Sequence, residues 1–168
     1  MSDGSEWRPV VGYEGAYEVS DDGRVRSLPR PRPKNPGRGG SGMWRGRMLT
    51  FAYSKGGYRQ VHLSARGYTR TVYVHHLVLE AFVGPRPADM PHTRHLDGDQ
   101  TNNVVGNLAY GTISQNMLDQ VKHGTHWAAN RTHCPRGHPY AGENLIFMSN
   151  GGRACRTCAR ERHRKSGG

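Results

Sequence analysis

The sequence predicts an α+β fold assembled from small modules, and three observations carry that reading. Only 34% of the 168 residues are hydrophobic and 23 are glycine. That is too little apolar material for one large core and suits small units that each need outside help. Short runs of alternating apolar and polar residues recur between glycine-containing turns, while helical periodicity is confined to a few short stretches. All three cysteines lie after position 130, which marks the C-terminal part as a unit with its own staple.

Four segments follow in order. Residues 1–28 are a β-rich module: EWRPVVGYEGAYEVSDDGRVRSL mixes aromatic and β-branched residues at near-alternate positions, and Asp22-Gly23 signals a tight turn between two strands. Residues 29–46 are a basic linker, because PRPRPKNPGRGGSG offers nothing to pack into a core. Residues 47–129 are the central core. Its antiparallel strands are expected over 47–53, 58–63 and 70–75, with turns at Gly56-Gly57 and Arg66-Gly67. A short helix follows in HHLVLEAFVG, where Leu77, Val78, Ala81 and Phe82 share a face, and Gly84-Pro85 stops it. Residues 93–96 read as a strand and 97–107 as a long polar loop. A second helix starts near Thr112 or Ser114, where Thr-x-x-Gln resembles a capping box, and ends near Lys122 or His123. Residues 130–168 hold a hairpin, ENLIFMSNGGRAC, with Asn150-Gly151-Gly152 as its turn, and a basic tail.

The formal charge is +11 and the isoelectric point about 10.1. It is unevenly spread: −3 over residues 1–28, +8 over 29–130 and +6 over 131–168. Arginine supplies most of the excess, and its planar bidentate donors match phosphate, so a phosphate-rich partner is expected. The candidate backbone contacts are Arg30, Arg32, Lys34, Arg38, Arg45 and Arg47 around the linker, and Arg160, Arg162, Arg164 and Lys165 in the tail. No apolar run approaches the ~18 residues of a membrane span, so no membrane partner is expected. The N-terminus lacks the basic and apolar regions of a signal peptide. An odd, clustered set of cysteines argues against a secreted disulfide framework. A reducing cytoplasm is the expected location, and the chain is expected to act as a monomer or homodimer with no small-molecule substrate.

The cysteines fall into a metal-ligand pattern. Cys134-x3-His138 is followed by Cys155-x2-Cys158, four soft ligands in two close pairs that suit tetrahedral Zn²⁺. His133 is an adjacent alternative, but the glycine turn at Gly137 favours His138. With all four positions filled no open site remains, so the zinc is expected to be structural.

The stretch RHLDGDQTNNVVGNL, followed by Asn116, holds the parts needed to hydrolyse a phosphodiester. The reaction needs an activated water, a cation against the growing negative charge, and a base held in one orientation. His95 on a strand is the candidate base. Asn107 is placed to hold the loop by amide hydrogen bonds, and Asn116 on the following helix is the candidate ligand of a divalent ion. Asp97 and Asp99 are expected to be turn formers, and His75 and His76 packed side chains.

The blocks VHHLVLEAFVG, RHLDGDQTNN, GNL, YGT and QNM resemble the HNH endonucleases, whose fold is the ββα-metal finger. The resemblance implies that His95 activates water, Asn107 orders the loop, and Asn116 binds catalytic Mg²⁺ or Mn²⁺. The N-terminal EWRPVVGYEGAYEVSDDGRVRSL looks like the modular DNA-contacting motif that precedes the core in phage and intron homing endonucleases. One position departs from the pattern: many HNH enzymes carry a second metal ligand just before the histidine, and this chain has Arg94 there. Arginine does not ligate a cation, so Arg94 is expected to contact a substrate phosphate beside a singly ligated, hydrated Mg²⁺. The implied protein is a metal-dependent DNA endonuclease of a phage or mobile element, serving homing. The alternatives are an HNH nuclease serving phage DNA packaging, or a non-catalytic, zinc-containing DNA-binding or regulatory protein.

Overall fold

The computed structural model describes residues 4–32, 42–65, 67–149 and 152–166, apart from the side chains of 165 and 166. Lys34, Arg38, the Lys165 side chain, Arg66 and the Asn150-Gly151 turn, all singled out from the sequence, lie outside that description. The chain divides into two compact units, residues 1–119 and 120–168.

The first unit opens with β1 (Trp7–Pro9), β2 (Tyr17–Ser20) and β3 (Val25–Ser27). Then come the paired short strands β4 (Arg30–Pro31) and β5 (Met43–Trp44), and β6 (Arg47–Met48). The strands β1, β2, β3 and β6 form one antiparallel sheet in that order. Its alternation is visible in β2, where Tyr17 and Val19 are buried and Glu18 turns outward to pair with Arg26 at 2.6 Å. A second antiparallel sheet joins β7 (Ala52–Tyr53), β8 (Arg59–Ala65) and β9 (Tyr68–Tyr73). The run 47–53, expected as one strand, is therefore divided between two sheets: Arg47-Met48 pairs with β3, and Ala52-Tyr53 with β8.

Helix α1 (Val74–Phe82) begins directly at the end of β9 and buries Val74, His75, Leu77, Val78 and Leu79. Ala81 and Phe82 pack at the edge of that core. Gly84, at φ +115°, closes the helix by donating its N–H to the Leu79 carbonyl. The antiparallel pair β10 (His92–His95) and β11 (Leu108–Gly111) follows, with His95 opposite Leu108. Residues 108–111 carry no mark of a strand in the sequence, because four residues are too short to show a period; the strand exists because β10 pairs with it. Helix α2 (Ile113–Lys122) starts at a reciprocal cap. The Thr112 N–H donates to Gln115 Oε1 at 2.9 Å, and the Gln115 N–H to Thr112 Oγ1 at 3.2 Å.

One hydrophobic core serves this unit. It draws Val10, Tyr17, Val19 and Val25 from the first module, Val61 and Leu63 from β8, the apolar face of α1, and Leu108 from β11. The compact units thus fall elsewhere than the expected breaks after residues 28, 46 and 129. A three-stranded module of this size has one apolar face and cannot cover it alone, so it shares the face of α1.

The second unit holds β12 (Leu145–Phe147), β13 (Arg153–Cys155) and α3 (Arg156–Ser166). The two strands pair antiparallel, Ile146 opposite Ala154.

A shared core has a measurable consequence. Leu79→Ala removes a fully buried side chain and is expected to cost about 2–5 kcal/mol. In hydrogen exchange, both Leu79→Ala and Val25→Ala should weaken amide protection in β2 and in α1 together. Loss confined to the element mutated would mean that the first module folds on its own.

Candidate active site and metal centre

The loop between β10 and β11 is held by side-chain amides and carboxylates. Asn107 Oδ1 accepts the Asp97 N–H at 3.0 Å, while its Nδ2 donates to Asp97 Oδ1 at 2.9 Å and to the Asn102 carbonyl at 3.0 Å. Asn102 Nδ2 donates to Asp97 Oδ2 at 2.6 Å. Asp99 accepts the N–H and hydroxyl of Thr101, each at 2.8 Å. What burial Asp97 has works to raise its carboxyl, but the amides of Asn102 and Asn107 outweigh it and hold the group below the usual range. Both carboxylates are committed to loop structure as Asx-type turns.

His95 lies at the base of this loop and is only 8% exposed. The rings of Tyr58 and His75 sit 5.8 and 5.3 Å from it, centroid to centroid. Burial lowers its basicity below that of a free histidine; the Asn103 hydrogen bond and the charges of Asp97 and Asp99 oppose the shift without cancelling it. A buried, neutral imidazole at working pH has the protonation state a general base needs. His95 Nε2 is 3.3 Å from Asn103 Oδ1. Asn103 did not stand out in the sequence reading, because nothing in the pair Asn102-Asn103 says which residue turns inward.

Behind His95, His75 is buried and stacked on Tyr73, and its Nδ1 has no hydrogen-bond partner. Burial first, then the neighbouring His76, His95 and Arg86, push its basicity down to about 3; burial and Arg86 push His76 down to about 4. Both are packing residues of the site's floor.

The position before His95 departs from the sequence expectation. Arg94 is engaged in a bidentate ion pair with Asp119 of α2, Nε to Oδ2 at 2.6 Å and Nη2 to Oδ1 at 3.0 Å. Both side chains are less than one-fifth exposed, and the pair raises the already high arginine pKa. A guanidinium whose fork is filled by a carboxylate is a strut between β10 and α2, in place of the phosphate contact expected of it. Close packing enforces this, since a Cβ on Gly111 would meet the Arg94 side chain. Asn116 lies one turn before Asp119 on the half-buried face of α2. The strut therefore fixes the Asn116 face of the helix to the strand residue that precedes His95. For a hard divalent ion the donor set on this face of α2 is one amide oxygen, that of Asn116, with the nearby carboxylate already paired to Arg94. That set fits an ion that keeps most of its waters and shares the substrate's phosphate oxygens.

In the second unit Cys134, His138, Cys155 and Cys158 converge, with all four ligand atoms within 4.8 Å of one another. The Cys134 and Cys158 sulfurs are 3.6 Å apart. His138 Nδ1 lies 3.5, 3.7 and 3.3 Å from the sulfurs of Cys134, Cys155 and Cys158. Bonds of about 2.3 Å to sulfur and 2.0 Å to nitrogen give edges of about 3.5–3.8 Å in a tetrahedron, so the donors fit one Zn²⁺. Supporting contacts are present too. The His138 N–H points to Cys134 Sγ and the Cys158 N–H to Cys155 Sγ, and His138 Nε2 is 3.9 Å from Glu161.

The basic side chains divide into two kinds. Arg30, expected on DNA, is held within the protein: it donates to the Ala16 carbonyl and the Tyr17 hydroxyl and lies between the rings of Tyr17 and Trp44. Arg45 and Arg47 are exposed beside it and line a cleft of about 500 Å³ with Trp44 and His62. Arg32, Arg160, Arg162 and Arg164 are exposed.

Comparison with known proteins gives the family. Residues 6–64 match the NUMOD4 motif and residues 72–118 match an HNH endonuclease family. Over 120 residues the chain is 31% identical to the DNA endonuclease I-HmuI of Bacillus phage SP01, covering 71% of this chain and 60% of that protein. It is 32% identical over 127 residues to an uncharacterized HNH endonuclease, L247, of Acanthamoeba polyphaga mimivirus, covering 75% of this chain and 27% of that protein. A solved structure, "DNA binding and cleavage by the HNH homing endonuclease I-HmuI", aligns at a TM-score of 0.55 and 31% identity over 71% of this chain and 60% of its own. The chain thus spans less than two-thirds of the length of the proteins it matches.

Two measurements follow. Elemental analysis should find about one zinc per chain, and Cys158→Ser or a strong chelator should abolish amide protection in β12 and β13. Acid should also destabilise the first unit. The folded values of His75 and His76 lie below the unfolded value of about 6.5, so their contribution is complete above pH 6.5 and falls as the pH drops toward 3–4. Each depressed histidine gives a slope of about 1.4 kcal/mol per pH unit in that window, and His75→Phe should flatten the stability profile there.

Proposed function

We propose that this chain, which belongs to the HNH endonucleases and carries a NUMOD4 motif ahead of the nuclease core, cuts double-stranded DNA with His95 as general base. The observation that carries the proposal is a buried, neutral imidazole at the foot of a loop stitched by Asn107. His95 accepts a proton from water as that water attacks the phosphorus. Asn107 acts indirectly: by closing the loop on Asp97 and Asn102 it keeps the strand end that bears His95 from shifting. Asn116 would hold the divalent ion, Mg²⁺ or Mn²⁺, through its amide oxygen. When bound, that ion supplies charge stabilisation for the scissile phosphate and the departing oxygen. The Arg94–Asp119 strut keeps the helix that bears Asn116 in register with β10.

Arg32, Arg45 and Arg47 on the first unit, and Arg160, Arg162 and Arg164 on α3, are the exposed cations proposed to track the DNA backbone. Zinc on Cys134, His138, Cys155 and Cys158 is proposed as structural, because the four protein ligands leave no open position. Homing by a phage or mobile element is the biological role we favour over genome packaging, on the likeness to I-HmuI. Among the described residues no helix is long and apolar enough to cross a membrane.

A second reading has one observation behind it: the acidic group nearest Asn116 along the helix is taken by Arg94, as in a fold that binds DNA without cutting it. Plasmid relaxation separates the two. The native chain should nick or linearise plasmid with Mg²⁺ and stop with EDTA, and His95→Ala and Asn116→Ala should each lose about 100-fold or more of the rate. Tight DNA binding without a nicked product, indifferent to EDTA, would establish the non-catalytic reading.

A further inference from the structure

We infer that Asn103 is the positioning residue for His95, and that the Asp22-Gly23 turn of the N-terminal module is the backstop that holds Asn103 against it. This rests on the nuclease reading, in which His95 is the base.

One side-chain amide sets the geometry. Asn103 is 1% exposed, and its Nδ2 donates to the Thr101 carbonyl at 3.1 Å. Its Oδ1 is therefore the atom that faces His95 Nε2 at 3.3 Å. An amide oxygen only accepts, so Nε2 carries the proton and Nδ1 keeps the basic lone pair. The same contact fixes the ring plane. A base needs both properties: the right nitrogen free, and that nitrogen aimed at one place. The remaining neighbours supply neither. Tyr58 and His75 present ring faces and edges, and the charges of Asp97 and Asp99 act at a distance.

Asn103 is in turn held from the N-terminal side. Gly23 adopts φ +84°, and a Cβ built there would lie 2.7 Å from Asn103 Cβ and 3.0 Å from its carbonyl oxygen. Glycine allows both the left-handed backbone and the close approach. The turn that carries it is stiff: the Gly23 N–H donates to the Ser20 carbonyl at 3.0 Å, and the Arg24 N–H to Ser20 Oγ at 2.8 Å. Two residues beyond Asn103, the Val105 N–H donates to the Asp21 carbonyl at 2.7 Å and clips the loop to the same turn. The module matched as a separate motif is thus mechanically continuous with the base, through Gly23, Asn103 and His95.

The first test uses the native full-length chain. Ring ¹³C and ¹⁵N shifts of His95 at about pH 8, where the ring is neutral, should report the Nε2–H tautomer; the Nδ1–H tautomer overturns the proposal. The second uses plasmid cleavage with Mg²⁺. Asn103→Ala should lower kcat about 10- to 100-fold with KM for DNA within about twofold. Asn103→Asp sets a carboxylate beside the ring, favours imidazolium, and should move the acidic limb of the pH–rate profile upward. Gly23→Ala should lower kcat likewise. Gly12→Ala should not: it carries the same left-handed strain at φ +78° with nothing within 4 Å of its Cβ. Native-like kcat in Asn103→Ala with an unmoved limb in Asn103→Asp, or equal effects of the two glycine substitutions, refutes the inference. Failure of the underlying reading is distinct, since it would appear as full activity in His95→Ala with the tautomer unchanged.

Discussion

A polar loop with little to bury must be held mainly by hydrogen bonds, and the site depends on how the segment between β10 and β11 meets that requirement. Leu96 and Val104 are exposed, while Val105 packs at the edge of the core. In place of a core it has a mesh in which Asp97 accepts from Asn102, Asn107 and the Asp99 N–H, while Asn107 closes back on the Asp97 N–H. Each such bond is worth about 1 kcal/mol net, somewhat more where the acceptor is charged. Together they make one shape preferable to the many that so polar a segment could adopt. His95 inherits its place from this mesh, because it is the last residue of β10 before the mesh begins.

The two ends of the chain solve the problem of a small core in different ways. The N-terminal strands lend Val10, Tyr17, Val19 and Val25 to the core that α1 and β8 also line, so the apolar faces cover one another. The C-terminal unit brings little of that kind. Its buried side chains include Cys134 and Cys155, and its donors converge at tetrahedral spacing, where a bound zinc would supply what apolar area cannot. The same contrast marks the polar chemistry. Hydrogen bonds tolerate small shifts in the loop, whereas a metal fixes four side chains at once.

Arg94 shows how a departure at one position is absorbed by its neighbours. A cation where the family often has a ligand would be costly if left half-buried and unpaired. Asp119 answers it with a bidentate pair, and the pair becomes the link from the strand of His95 to the helix of Asn116.

The sequence by itself determined what depends on local order along the chain. The spacing of His95, Asn107 and Asn116, the Cys-x3-His and Cys-x2-Cys pairs, the capping box at Thr112, the short helix in HHLVLEAFVG and the Asp22-Gly23 turn are all short-range patterns. Their physical causes act within one turn, one loop or one metal. Contacts between residues far apart in the chain carry no such mark. That Arg94 would spend its charge on Asp119, that Arg30 would be clasped between Tyr17 and Trp44, that residues 47–53 would serve two sheets, and that Asn103 would turn to His95 under the pressure of Gly23 were decided only when the chain closed on itself. Such pairings depend on which surfaces are left to be covered once the local elements exist, and that is a property of the packed molecule.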